Sequence, residues 1–239
     1  MLGQDEVRAL LDRIEAAERR LRGTVERFAD ADLRAPSLCP GWSRSHVIAH
    51  VTLNAHSLVN LMNWARTGKE TPQYPGWSER DEDIELRSAR TTSEHLAALA
   101  GGTEAFRAAA EAVPADRWSF EVRGIGGEPQ PVGRFLFGRL REVEIHHVDL
   151  RASYRPSDWD DSFVRELLGE VPGRLGSKVP APFTAEATDL GLHIVVGEGP
   201  TIVDVAAPGA ALLTWLLGRS KGSDVEARGG PLPLLPAWG

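Results

Sequence analysis

The sequence predicts a mainly α protein, a four-helix bundle followed by a small α+β segment. Three observations carry this. Apolar residues recur at spacings of three and four through most of the first 150 positions. Proline and glycine punctuate those stretches into four long blocks. After about residue 180 the pattern changes to alternation with β-branched residues.

The first helix is expected over residues 4–29, where Val7, Leu10, Leu11, Ile14, Leu21, Val25 and Phe28 form one apolar stripe. A loop with Pro36 and Pro40 follows. Ser43 has the chemistry of an N-cap for a second helix over about 44–67, which stops at Gly68. Residues 71–77, with Pro72, Pro75 and Gly76, read as a loop. A third helical region begins near Ser78 and runs toward Val113, with Gly101–Gly102 as its expected break and Pro114 as its end. Residues 118–132 hold a glycine-rich turn between strand-like ends, an irregular hairpin or loop. The fourth helix is expected from about Gly133 to Ser153. Four such helices suggest an antiparallel bundle.

Pro156 and the acidic run at 158–161 mark a boundary, so the expected domains are 1–155 and 156–239. The second opens with a short helix, about Asp161 to Leu175. Two strands are expected on either side of the turn Gly197-Glu198-Gly199-Pro200, then a helix ending at Gly218 and one more strand near 223–230.

Composition narrows the function classes. With 27 basic and 34 acidic residues, the net charge is −7, which argues against nucleic acid as a partner. Only Lys69, Lys178 and Lys221 are lysines, and the arginines are scattered. No apolar run is long enough to span a membrane, and the charged start MLGQDEVRALLDR does not read as a secretory signal. A cytoplasmic protein is therefore expected. The single cysteine, Cys39, excludes internal disulfides and zinc sites made of several thiolates. Pro40 follows it and no base stands beside it in sequence, so it reads as an inert or partly buried thiol.

The most unusual local pattern is REVEIHHVDL at 141–150. Glu142 and His146 are four apart and Asp149 extends their stripe, next to the apolar stripe Leu136, Leu140, Val143 and Leu150. A carboxylate and an imidazole at the edge of a bundle interior need a partner, and a metal ion is one. The second helix offers His46 and His50, with Asn54 and Ser57 on the same face. Spacing alone fits a helix-surface ion pair and core-edge histidines at least as well. Asp149 suits either support of His146 or an ion pair with Arg139 or Arg151, and His147 reads as packing or surface. Trp42 reads as a packing anchor, and R-G-I-G-G at 123–127 as a flexible turn. Arg80 and Arg141 could meet an acidic ligand, but arginine is abundant here and a solvated cation is the commoner case.

PGWSRSHVIAHVTLNA (40–55), REVEIHHVDL (141–150) and ALLTWLLGR (211–219) together resemble the mycothiol-dependent maleylpyruvate isomerase family, in family order and over nearly the whole chain. The resemblance implies a DinB-like four-helix bundle followed by a small sterol-carrier-like α+β domain. It implies metal ligands at His50, Glu142 and His146, selecting His50 over His46 and Glu142 over Glu144. It also implies a catalytic and ligand-binding Arg219 from the C-terminal domain. Asn54, from its place on the His50 face, is either a cofactor-binding residue or a hydrogen-bonding group between helices. The implied cofactors are a divalent metal, zinc by its ligand set, and mycothiol as thiol cosubstrate. The implied reaction adds the thiolate to an activated cis double bond, allows rotation, and eliminates the thiol. S-transfer to an electrophile, a metal-dependent hydrolase without thiol, and a ligand-binding protein remain alternatives. The implied partners are a small-molecule substrate and a low-molecular-weight thiol, and monomer and homodimer are both open.

Overall fold

The computed structural model describes residues 3–236, and the chain divides between Ser153 and Tyr154 into two compact units. Among the described residues no helix is long and apolar enough to cross a membrane.

The first unit contains α1 (Gln4–Val25), α2 (Arg44–Thr67), α3 (Trp77–Ser88), α4 (Thr92–Glu111), the hairpin β1 (Glu121–Arg123) and β2 (Pro129–Pro131), and α5 (Arg134–Asp149). α1 packs on α5 and α4, and α2 packs on the same two, so these four close a ring around a common core. The expected stripes supply that core. Val7, Leu10, Leu11, Ile14, Leu21 and Val25 of α1 are buried, as are Leu136, Leu140 and Val143 of α5 with Leu150 just beyond it. Ser43 caps α2, its hydroxyl accepting from the His46 N–H, and Gly68 ends α2 in the left-handed region with φ 74°.

Two expectations change. The bundle is not simply antiparallel. Glu18 meets Arg139, Arg20 meets Glu144 and Thr24 meets His147, so α1 and α5 run the same way. Arg44 reaches the Leu150 carbonyl while His50 meets Glu142, so α2 opposes α5. Ser45 meets His95 and Ala55 lies against Gly102, so α4 runs with α2. Parallel neighbours need a crossover, and α3 provides the return. It runs back along α2, with Arg80 at His50, Glu85 at His46 and the Ser88 carbonyl at Ser45.

Second, the region 78–113 is two helices, and the break lies at Ala89–Thr91. Thr91 caps α4, its hydroxyl accepting from the Glu94 N–H while the Glu94 side chain returns to the Thr91 N–H. Gly101 and Gly102 stay inside α4, and a Cβ on Gly102 would come within 3.3 Å of the Ala55 Cβ. The missing side chain there lets α4 approach α2. α1 and α5 are also shorter than expected, ending at Val25 and Asp149.

The second unit contains α6 (Asp161–Leu175), β3 (Phe183–Ala187), β4 (Leu192–Val196), β5 (Asp204–Ala207), α7 (Gly209–Leu216) and β6 (Glu226–Arg228). Its sheet has the order β4-β3-β5-β6, with β3 and β5 parallel and the other pairs antiparallel. Where the sequence suggested two strands there are three. β3 and β4 both precede the Gly197–Pro200 turn and are joined by a tight turn at Thr188–Gly191, with Gly191 at φ 59°. α6 and α7 pack together beside this sheet, with Phe163, Leu167, Phe183 and Leu213 in the core.

Candidate functional site

The bundle brings α2 and α5 side by side so that His50 faces Glu142 and His146. His50 Nε2 lies 2.9 Å from Glu142 Oε2, and His146 Nε2 lies 3.5 Å from the same oxygen. The two imidazoles stand nearly perpendicular, 85° apart with centroids at 4.7 Å. Glu142 and His146 meet because they are one helical turn apart on α5. His50 joins them because α2 opposes α5 at that level.

The loop before α2 closes the other side of His146. Arg44, the first residue of α2, donates to the Leu150 and Arg151 carbonyls at the end of α5, and the Leu38 N–H donates to the Asp149 carbonyl. These bonds satisfy carbonyls that a helix end leaves unpaired. They also bring Cys39 to Asp149, whose Oδ2 accepts from Cys39 Sγ at 3.2 Å and lies 2.8 Å from His146 Nδ1. Asp149 is fully buried. Its carboxylate holds the proton of His146 on Nδ1 and leaves Nε2 directed at Glu142.

Electrostatics follow from burial and these contacts. Burial pushes His50 down to about 4, against the pull of its hydrogen bond to Glu142. Burial alone would raise Glu142, but the hydrogen bonds and charges of His146 and His50 outweigh it and hold the carboxyl well below its usual range. Burial would likewise lower His146, but Asp149, Cys39 and Glu142 together raise it well above the usual imidazole value.

His50, Glu142 and His146 offer two imidazole nitrogens and one carboxylate oxygen, all within 4.8 Å of one another. That set fits a borderline divalent cation, with coordination positions left for an external ligand. A second group, Cys39, His146 and Asp149, shares His146 with the first. Fold and cluster together define a helical-bundle protein with a donor set fit for a divalent cation.

The family profile for the mycothiol maleylpyruvate isomerase N-terminal domain matches residues 14–151. The chain belongs to this family, and it is an enzyme of it. Two crystal structures, of the mycothiol-dependent maleylpyruvate isomerase and of a histidine-to-alanine mutant of that enzyme, are each similar at a TM-score of 0.90. Each is 27% identical to this chain, and the match covers 100% of both chains. A search of curated proteins finds no match.

The remaining residues singled out in the sequence fall as follows. His46 caps its own helix through Ser43, with Nδ1 2.7 Å from the hydroxyl, and meets Glu85 through Nε2. Glu144 pairs with Arg20, and His147 meets Thr24 across α1. Asn54 is buried one turn beyond His50, and its side-chain oxygen accepts from Arg139 at 2.9 Å. Arg139 is buried too and pairs with Glu18, so it is not the partner of Asp149. Arg219 belongs to the second unit, just after α7, where its Nη1 donates to the Leu217 carbonyl at 2.8 Å.

Two residues have surroundings that their local sequence does not show. Cys39 is partly buried, as expected, and meets Asp149 from 110 residues away, with His146 Nδ1 at 3.9 Å. Local sequence carried no sign of it. Arg80 is not an ordinary solvated cation, because its side chain is only 16% exposed and its Nη2 lies 3.2 Å from His50 Nδ1. The sequence merges its helix, α3, into a longer one and carries no sign of its position on α2.

Proposed function

We propose that this enzyme uses a divalent metal, zinc by its ligand set, and mycothiol to act on a small electrophilic acid. The reaction favoured is cis–trans isomerisation of a maleylpyruvate-like acid. The observation that carries this reading is the convergence of His50, Glu142 and His146 in a chain of this family. The 27% identity over full length to a mycothiol-dependent maleylpyruvate isomerase supports the thiol and the reaction class.

His50, Glu142 and His146 would hold the metal. A cation bound there supplies a Lewis-acid centre, which lowers the pKa of a coordinated thiol into the neutral range. The chain's own groups then have defined tasks. Asp149 keeps the proton of His146 on Nδ1, so that Nε2 presents a lone pair. Glu142 contributes the one negative charge of the set, leaving a divalent site net positive and attractive to a thiolate. Asn54 fixes Arg139 at the inner side of α2 and remains a candidate for thiol contact. Arg219 would pair with a carboxylate of substrate or thiol in bidentate fashion. Cys39 sits behind His146, on its Nδ1 side, so the nucleophilic sulfur in this reading comes with the cosubstrate.

S-transfer uses the same parts and differs only in whether the thiol leaves. The deciding experiment measures metal content and turnover together, on a panel of cis-unsaturated acids and other electrophiles with and without mycothiol. About one divalent metal per chain is expected from a single three-ligand site, with no turnover unless thiol is added. Protein purified without metal that still turns over, or turnover independent of thiol, would overturn the reading.

A further inference from the structure

We infer that Arg80 is a further anion-binding residue of this site, in addition to the proposed Arg219, receiving a carboxylate of a short acid substrate next to His50. The inference rests on the metal reading above and names the substrate group that the site selects.

Arg80 lies in the first turn of α3, and its guanidinium sits near two indoles. Its carbon is 5.6 Å from the Trp77 ring centre and 6.0 Å from that of Trp42. Such faces hold a guanidinium in place without using its N–H groups. Trp77 is itself supported from beneath by the β1–β2 turn. A Cβ on Gly126, which has φ 66°, would come within 3.1 Å of its ring. The fork of N–H donors is thus positioned by packing at the edge of the histidine cluster.

The partners of that fork are poor ones for a mostly buried cation. Nη1 meets Asp81, the next residue along the helix, whose side chain is 63% exposed. A pair with so solvated a carboxylate is weak and easily exchanged. Nη2 faces His50 Nδ1 at 3.2 Å. Arginine can only donate, so this contact is a hydrogen bond only when Nδ1 carries a lone pair. A neutral His50 that offers its Nε2 lone pair to a cation carries its proton on Nδ1. That N–H would then oppose the N–H of Arg80, and the guanidinium needs another acceptor. A planar fork at the edge of the histidine cluster matches a carboxylate, bound by two parallel N–H···O bonds. Arg80 meets His50 on the Nδ1 side of its ring, so a carboxylate it holds would sit beside that imidazole. Short acids are therefore the class favoured.

The test uses the full-length protein with its metal and a non-reacting dicarboxylate, maleate, as probe. Binding is followed by calorimetry and by tryptophan emission, since Trp42 and Trp77 flank the proposed contact. Wild type should bind maleate with a change in emission. Arg80→Gln should weaken binding by about tenfold or more at unchanged metal content, as expected for loss of a charged bidentate contact. Arg80→Lys should fall between. Undiminished binding in Arg80→Gln, or no binding by wild type, would overturn the proposal. So would parallel loss of metal and maleate in Arg80→Gln, because Arg80 would then serve His50 and not the ligand. Failure of the metal reading shows separately, as wild-type protein without metal, and Arg80-dependent maleate binding is measured in either case.

Discussion

His146 turns its Nδ1 to Asp149, three residues further along α5, at 2.8 Å. Ring orientation is thus set within one helix, by a carboxylate with no access to solvent. The same Asp149 receives the Cys39 thiol, so the loop before α2 and the end of α5 are joined behind the cluster. Asp149→Asn keeps the shape but loses the charge that favours Nδ1–H. Metal affinity should fall by about 10- to 100-fold, in line with loss of outer-shell carboxylates elsewhere. Metal titration of the folded variant checks this, and unchanged affinity would remove Asp149 from any role in the site.

Cys39→Ala separates the thiol from the carboxylate it touches. A thiol is a weak donor, and Asp149 keeps its contact with His146. Metal content should be unchanged and turnover should stay within about threefold, the scale of one weak hydrogen bond. An inactive variant with full metal would return the nucleophile to the protein.

These contacts show what the sequence could and could not convey. The Glu142–His146 pair was readable because helical spacing alone places the two together. The buried stripe of α5 was readable for the same reason. His50 could not be chosen over His46 from spacing, since both lie on one face of α2. The structure separates them by what packs opposite, Glu142 for His50 and Glu85 for His46. The break before α4 was encoded, in Thr91 and Glu94, but the glycine pair at 101–102 gave a stronger local signal. That pair is explained only by the neighbouring helix. Helix directions, the β3–β4 turn and the Cys39–Asp149 contact all depend on partners distant in sequence. No local pattern specifies them.

The bundle interior contains an ion pair that does not belong to the cluster. Arg139 donates through Nε and Nη2 to Glu18 Oε1, and through Nη1 to the Val51 carbonyl and Asn54. Both side chains are almost wholly buried. Glu18→Ala would strand the guanidinium without a counter-charge, which costs about 3–5 kcal/mol in comparable cases. Denaturant unfolding should show that loss. A replacement of both residues by apolar ones of similar size should recover much of it. If Glu18→Ala unfolds like wild type, the pair contributes little and the interior at Arg139 must admit water.

Arg219 is the proposed catalytic contribution of the second unit. Arg219→Ala should leave metal content unchanged, because none of the three proposed ligands is altered. Loss of a charged hydrogen-bonding group should lower kcat/KM by about 10- to 100-fold. Steady-state kinetics beside metal analysis decides it. Wild-type kinetics in this variant would exclude Arg219 from the reaction, and metal loss would give it a structural role instead.

The acid stability of the bundle should depend on His95. This residue is fully buried at the start of α4, with Nε2 2.7 Å from the Ser45 hydroxyl. Ser45 donates onward to the Ser88 carbonyl, so His95 must donate from Nε2. Its Nδ1 is buried without a hydrogen-bond partner, and protonation would place an unsatisfied N–H and a charge there. Burial first, then the Arg90 charge, lower its pKa from 6.5 to about 4, with Glu94 opposing. Between these values the unfolded chain binds a proton that the folded chain refuses. Stability contributed by the neutral ring is therefore intact above pH 6.5, falls as the pH drops toward 4, and levels off below that. The contribution of this one residue amounts to about 2 kcal/mol between pH 7 and pH 5. His50 and His147, also lowered, act in the same direction, so the measurement must be a difference. Urea midpoints of wild type and His95→Gln at pH 7 and pH 5 provide it. The variant should be the less stable at pH 7 and should lose less on acidification. Equal losses in the two proteins would show that His95 does not set the acid limit of the fold.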